Sequence, residues 1–353
     1  MNKEQLINLV SGSEYDFLRE NEYLGPNVMF LTIGGSYAYG TNVETSDIDI
    51  RGVAAPNRMA ILTNNKFEQV ENKKTDSVIY EFNKYANLLK SNNANCIELL
   101  GCKPEHYIYV SPYGQQLIDN KKIFLCRNEV KKNIGGYANA QLRRLQNALA
   151  HDNYPEKEKE IHIINSMKNT MNTIFEEFGD SVLLYIGTDD KINIKFRKDY
   201  DAPIRQTTSM LSQLQNIVRD YDKLNHRNKK KDNLHLNKHA MHLARLYLMA
   251  IDILEKEEII TYRENDLDLL MKIRNGFFQN ADGSYHPIFF EFVNDLESRF
   301  QYALENSSLP EKADEKRINE FIADMNYSIV LGKVFPINRE VNNEDKTCIR
   351  YYP

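Results

Sequence analysis

The sequence predicts an α/β fold for the N-terminal part of the chain and a mainly helical fold after it. Three segments with the apolar patterns of strands, 28–33, 46–55 and 77–82, fall within the first hundred residues. From Glu129 onward, apolar residues instead recur every third or fourth position, as on one face of an α-helix. We therefore expect a strand-rich domain followed by a helical one.

The predicted domain boundaries follow from where this pattern changes. Residues 1–125 are expected to form the α/β domain, residues 126–331 the helical domain, and residues 332–353 a tail with little periodicity. A chain of 353 residues is long enough for two or three domains with ample cores.

Composition and charge exclude some classes of function. Hydrophobic residues make up 42% of the chain and charged residues 27%, as in ordinary globular proteins. The net charge of −5 argues against a chain-wide polyanion-binding surface, so any contact with nucleic acid must be local. No apolar run reaches the roughly 18 residues of a membrane span. The first ten residues lack the apolar core of a signal peptide. The four cysteines have no CxxC spacing. We expect a cytoplasmic protein with reduced thiols and no membrane partner.

The first strand leads into a glycine-rich turn. The apolar run Val28–Ile33 predicts a buried strand, which stops at Gly34-Gly35-Ser36. Paired glycines allow a positive φ or a close approach of the backbone to a ligand. The hydroxyl of Ser36 and the adjacent N–H groups can form an anion-binding nest.

The second strand carries two acids on one face. The sequence from Ser46 reads SDIDIRG, and because side chains alternate between the faces of a strand, Asp47, Asp49 and Arg51 share a face. Neighbouring carboxylates repel each other, and a hard divalent cation usually offsets that repulsion. A phosphate-binding turn followed by paired carboxylates suits metal-assisted phosphoryl or nucleotidyl transfer. The structural alternative is a hairpin turn followed by a solvated edge strand.

The string GSYAYGT…SDIDIRG resembles the signature of the DNA polymerase β nucleotidyltransferase superfamily, especially its branch of bacterial and phage RNA-repair-associated proteins. The similarity is strongest over residues 29–100 and continues more weakly into the helical region. It implies a mixed sheet with flanking helices, an NTP donor (ATP is expected) and two Mg²⁺ ions held by three carboxylates, with Mn²⁺ as a substitute. It also implies that Asp47 and Asp49 are catalytic metal ligands and that Gly35 and Ser36 bind the nucleotide.

The third carboxylate has two candidates. Segment 77–82 predicts a strand next to the one that carries Asp47 and Asp49, and in the superfamily the third acid lies on such a strand. Glu81 fits that position best. Asp76, which begins the same strand, is the second choice. The alternative for Glu81 is a surface acid at the start of the following helix.

A helix predicted over 237–256 carries a basic stripe. Asn237 can cap its N-terminus, and Lys238, His242 and Arg245 fall on one stripe of an otherwise apolar helix. Basic groups on such a face are costly unless they meet an anion or a wet cleft. We expect these three side chains to contact the NTP phosphates or the acceptor, with an exposed polar face as the alternative.

Two further basic features are weaker candidates. Segment 223–238, which includes Lys229, Lys230 and Lys231, predicts a flexible loop that attracts phosphate, or else a solvated charge run. No aromatic residue lies between its lysines, so base stacking is unsupported there. Arg274, at the predicted C-terminal end of a helix, is a weaker phosphate candidate.

Together these residues predict a nucleotidyltransferase that moves an NMP from an NTP to an acceptor hydroxyl and releases pyrophosphate. Arg51 is expected to steady the acids or the triphosphate. The sequence leaves the acceptor open between an RNA end, a small molecule and a protein hydroxyl. A nucleotide-binding regulator with little turnover and an antitoxin-type partner protein are the alternative functions. The sequence does not address the oligomeric state.

Overall fold

The computed structural model describes residues 2–333 except 64–66, 151–181, 189, 190, 200, 202, 206, 209, 213, 216–232 and 282. The chain forms two compact units. As far as they are described, the larger comprises residues 1–141, 240–278 and 286–353, and the smaller comprises residues 142–239 and 279–285. The predicted domain boundaries at residues 125 and 331 stay a prediction.

A five-stranded sheet lies in the larger unit. Its strands are β1 (Val28–Ile33), β2 (Ile50–Ala54), β3 (Gln69–Asn72), β4 (Ser77–Glu81) and β5 (Tyr107–Val110). They are arranged in the order β3-β4-β2-β1-β5. β2 and β4 run parallel, and the other neighbouring pairs run antiparallel. This mixed sheet with flanking helices confirms the predicted fold class.

Strand β1 is buried over its whole length, as its apolar sequence predicts. Strand β2 starts at Ile50 and not at Ser46, so the prediction that Asp47 and Asp49 lie within a strand is wrong. Ile50 pairs with Ile33, the last residue of β1, and the chain before Ile50 therefore has little strand left to pair with. Residues 41–49 form an irregular loop that ends with Asp49 beside the sheet.

Helices flank the sheet and dominate the later part of the described chain. The α-helices are α1 (Lys3–Val10), α2 (Phe17–Glu20), α3 (Gly35–Tyr39), α4 (Arg58–Thr63), α5 (Phe82–Lys90), α6 (Ala94–Ile97), α7 (Pro112–Asp119), α8 (Arg127–Glu129), α9 (Gly136–Ala150), α10 (Asn233–Lys256), α11 (Leu267–Arg274), α12 (Pro287–Asn306) and α13 (Glu315–Leu331). A π-helical turn, Val130–Gly135, joins α8 to α9. In the smaller unit, β6 (Val182–Ile186) and β7 (Ile192–Phe196) form an antiparallel hairpin. No helix of the described ranges has the length and hydrophobicity needed to span a bilayer.

Helix α10 starts at Asn233, four residues earlier than predicted. Asn237 is therefore not the N-cap, and residues 233–238 are not a loop. The Asn237 side chain is buried within the helix and accepts a hydrogen bond from the hydroxyl of Tyr285. The lysines at 229, 230 and 231 lie outside the described residues.

Candidate active site

The turn after β1 lies against the side chain of Asp49. The N–H of Gly34 donates a hydrogen bond of 2.8 Å to the Asp49 carbonyl. Gly35 has a φ of +55°, and a Cβ added to it would lie 1.7 Å from Oδ2 of Asp49. Only glycine combines this backbone conformation with so close an approach. The predicted glycine turn is thus built around one of the predicted acids, with the half-buried Ser36 next to it.

We expect the Gly35→Ala variant to lose about 1–3 kcal/mol of unfolding free energy, because alanine is strained in the left-handed region and its methyl group displaces Asp49. Gly136→Ala is the matched control, since a Cβ there meets nothing within 4 Å. That helical substitution should stabilise the protein by about 0.5–1 kcal/mol. Urea denaturation measures both changes. Equal stability of the two variants would contradict the close packing of Gly35 on Asp49.

Arg51 brings two carboxylates together at one end of the parallel strands. Its Nη2 atom lies 3.2 Å from Oδ1 of Asp49 and 3.1 Å from Oδ1 of Asp76. Its Nη1 atom donates to the carbonyls of Asp76 and Ile50. A hydrogen bond shared with the Asp49 carboxyl, followed by the charge of Arg51, holds the pKa of Asp76 below its usual range.

The strand register explains why Asp49 and Asp76 meet. Ile50 of β2 is paired with Ser77 of β4 in parallel. Each acid is the residue immediately before one of these partners, so both emerge at the same edge of the sheet. The predicted second choice for the third carboxylate is therefore the one that lies beside Asp49.

Glu81 lies at the other end of β4. Glu81 is paired with Ala54 of β2. It lies five residues after Asp76, and five residues of extended strand separate the two acids by about 16 Å. Its carboxylate is buried and caps α5 by accepting hydrogen bonds from the Lys84 N–H at 2.9 Å and from Nδ2 of Asn83 at 2.8 Å. The structure therefore does not bring Glu81 to Asp49, because the parallel register carries the two to opposite ends of their strands.

Asp47 is exposed in the 41–49 loop, two residues before Asp49. Among the residues that the structure describes, no group of three or more His, Cys, Asp or Glu side chains is close enough to hold a metal ion. The pair formed by Asp49 and Asp76 nevertheless suits Mg²⁺, which in nucleotide sites usually takes one or two carboxylates and completes its shell with water and substrate phosphates. The donor set thus fits a cation whose coordination the substrate completes.

The basic stripe of α10 divides into an exposed and a buried part. Lys238 is exposed. Arg245 is buried, with its guanidinium 3.3 Å from the centre of the Tyr39 ring. Its Nη2 atom lies 2.8 Å from Nδ1 of His242 and 4.0 Å from Oε2 of Glu98. Arg245 therefore packs on Tyr39, the last residue of α3. The predicted phosphate contacts of Lys238, His242 and Arg245 stay predictions.

Residues 13–171 match the model of the RNA repair pathway DNA polymerase beta family. This part of the chain, which is less than half of it, is similar to that family. Searches of curated proteins and of solved structures gave no match. The polymerase β family segment contains Gly35, Ser36, Asp49 and Asp76, so the residues that the fold assembles lie within it. This match confirms the predicted resemblance to polymerase β-like nucleotidyltransferases and supports nucleotidyltransferase activity in the broad sense.

Sequence reasoning missed three residues that lie in or pack around α3, the short helix that follows Gly34. The ring of Tyr39 makes a cation–π contact with the Arg245 guanidinium, and the carboxylate of Glu98 forms an ion pair with that same group. Tyr262 closes off the end of α3, because a Cβ on Gly40 would lie 2.6 Å from its ring. For Glu98 the sequence contained a signal, because this acid directly precedes the apolar pair Leu99-Leu100. For Tyr262 it contained none, because its partner Gly40 is more than two hundred residues away.

Burial raises the pKa of Glu98 from 4.5 to about 7, although the nearby Arg245 partly opposes this shift. The folded protein therefore binds more protons than the unfolded chain between these two pH values. The contribution of Glu98 to stability is fully present below pH 4.5 and is lost as the pH rises through about 7.

We expect Glu98→Gln to remove this loss, because the amide cannot ionise. Between pH 5 and pH 8 the unfolding free energy of the variant should rise by about 2–3 kcal/mol relative to that of the wild type. Urea denaturation at both pH values measures the difference. Glu105→Gln, which changes an exposed glutamate, serves as the control. Parallel pH profiles for Glu98→Gln and the wild type would show that Glu98 does not titrate in this range.

Proposed function

We propose that the protein transfers a nucleoside monophosphate from an NTP, with ATP as the expected donor, to an acceptor hydroxyl and releases pyrophosphate. The observation that carries this proposal is the convergence of Asp49 and Asp76 on Arg51 beside the Gly34-Gly35 turn. It lies within the segment that matches the polymerase β family model.

Asp49 and Asp76, together with the exposed Asp47, would hold the Mg²⁺ ions, for which Mn²⁺ could substitute. When bound, Mg²⁺ neutralises charge on the phosphates and lowers the pKa of the acceptor hydroxyl. We assign the third carboxylate to Asp76 and not to Glu81, because Asp76 shares the Arg51 guanidinium with Asp49 and Glu81 is engaged as a helix cap.

The remaining residues bind and orient. The glycines let the backbone approach the triphosphate, and the Ser36 hydroxyl can donate to a phosphate oxygen. Arg51 holds both carboxylates in place, and its hydrogen bonds to Asp49 and Asp76 leave it little capacity to bind phosphate as well. Arg245 supports the turn through Tyr39. The scheme requires no separate general base.

We propose an RNA end as the acceptor. The family model that residues 13–171 match is described as an RNA repair pathway family, and this description supports RNA over a small molecule or a protein hydroxyl. With a net charge of −5, the chain would have to bind RNA through a local basic surface.

The decisive experiment supplies each α-labelled NTP with Mg²⁺ and three acceptors: an RNA with a 3′-hydroxyl, the same RNA with a blocked 3′ end, and no RNA. Label should appear only on the RNA with the free hydroxyl, and γ-labelled NTP should label only pyrophosphate. Label on the protein itself would point to a protein hydroxyl. NTP binding without label transfer or pyrophosphate release would overturn the proposal in favour of a nucleotide-binding regulator.

A further inference from the structure

Arg274, the last residue of α11, reaches the loop that carries Asp47. Its Nη2 atom lies 3.4 Å from the hydroxyl of Ser46, the residue immediately before Asp47. Both residues belong to the larger unit. Arg274 lies outside the segment that matches the polymerase β family, so that match assigns it no role.

The guanidinium of Arg274 has few hydrogen-bond partners in the described part of the protein. Its Nη1 atom is buried and has no hydrogen-bond partner among the described side chains and backbone groups. No ion pair joins Arg274 to an acid in the described part of the chain, and burial lowers its pKa with no carboxylate to oppose the effect. A partly buried cation without an anion is costly, and such groups are normally paired.

The acids that precede Arg274 most closely along the chain do not pair with it in the described structure. Asp268 is exposed in the first turn of α11. Asp266, which precedes α11, pairs with Arg263, and Arg263 also pairs with Asp252. The favourable effect of the C-terminal end of α11 on a cation is worth only a fraction of the cost of burial. The contact with Ser46 does not compensate either. It is long for a hydrogen bond, and the Ser46 hydroxyl also accepts from the N–H of Val43 at 2.9 Å.

We propose that Arg274 binds a phosphate group of the nucleotide next to the Asp47 loop. This inference rests on the proposed function and adds a phosphate-binding residue from outside the polymerase β family segment. A phosphate oxygen is a charged acceptor, so it forms a stronger hydrogen bond to the guanidinium than the neutral Ser46 hydroxyl does. Since Nη1 is enclosed in this arrangement, a neighbouring group must move for the phosphate to reach both terminal nitrogens.

Calorimetric titration with the Mg²⁺ complex of α,β-methylene ATP tests the inference without turnover. Arg274→Gln should weaken binding by about tenfold to a hundredfold, as for the loss of a charged hydrogen bond, and Arg274→Lys should recover part of the affinity. Pyrophosphate with Mg²⁺ should show the same order, whereas adenosine should not distinguish the variants. Lys272→Gln, which changes an exposed cation of the same helix, is the matched control and should bind like the wild type.

Ser46→Ala separates phosphate binding from simple anchoring of the loop. If Arg274 only anchors the loop through Ser46, this variant will lose as much affinity as Arg274→Gln, and the inference fails. We expect its affinity to stay within about threefold of the wild type. Wild-type binding that Arg274→Gln leaves unchanged would also refute the inference, while the proposed function would stand. Absence of binding by the wild type would overturn both.

Discussion

We expect the Asp49→Asn variant to transfer nucleotide at least about a thousandfold more slowly than the wild type. The amide keeps the shape of the carboxylate but removes the charge that would bind Mg²⁺. Arg51 keeps its ion pair with Asp76 in this variant, and a part-exposed ion pair contributes little to stability, so the fold should not be weakened much. Asp47→Asn should cause a loss of similar size if Asp47 shares the cation.

Glu44→Gln is the matched control for both variants, because Glu44 is exposed in the same loop. Initial rates with α-labelled NTP, measured over a range of Mg²⁺ concentrations, give the comparison. Thermal denaturation checks that each variant is folded. Rates within about tenfold of the wild type for both aspartate variants would refute catalysis through these carboxylates.

The second expected result separates Asp76 from Glu81. Asp76→Asn should lower kcat by about a hundredfold or more, with a requirement for higher Mg²⁺, because it removes the acid that shares Arg51 with Asp49. Glu81→Ala should instead cost about 1 kcal/mol of unfolding free energy through the lost cap of α5, with kcat changed by less than about tenfold.

This pair of measurements gives opposite patterns for the two assignments. Single-turnover rates report catalysis, and urea denaturation reports the capping role. The converse outcome, an inactive Glu81→Ala that is fully stable beside an active Asp76→Asn, would restore Glu81 as the third carboxylate. It would also mean that the pairing of Arg51 with Asp76 is purely structural.

Local chemistry was enough to predict the parts of the fold and of the site that depend on neighbours in the chain. Val28–Ile33 is apolar except for Thr32, and a short run of this kind between turn residues is typical of a buried strand, which it is. Gly34-Gly35 predicted a close backbone approach, and Gly35 does take a positive φ against Asp49. The match to the polymerase β family confirms the resemblance based on the surrounding string. The roles of Asp47 and Asp49 in catalysis stay predictions.

Tertiary structure decided everything that depends on partners distant in the chain. Side-chain alternation places residues on the faces of a strand, but it does not reveal which end of one strand lies beside which end of the next. The parallel pairing of Ile50 with Ser77 therefore decided that Asp76, and not Glu81, meets Asp49. Likewise, helical spacing put Arg245 on a basic stripe, yet only packing revealed that Tyr39 and Glu98 lie opposite it. Ser46 and Arg274 are 228 residues apart, and no local pattern connects them. The order of residues in a segment determines its local backbone conformation and which face of a strand or helix each side chain lies on. Strand register and helix packing determine which charged side chains meet.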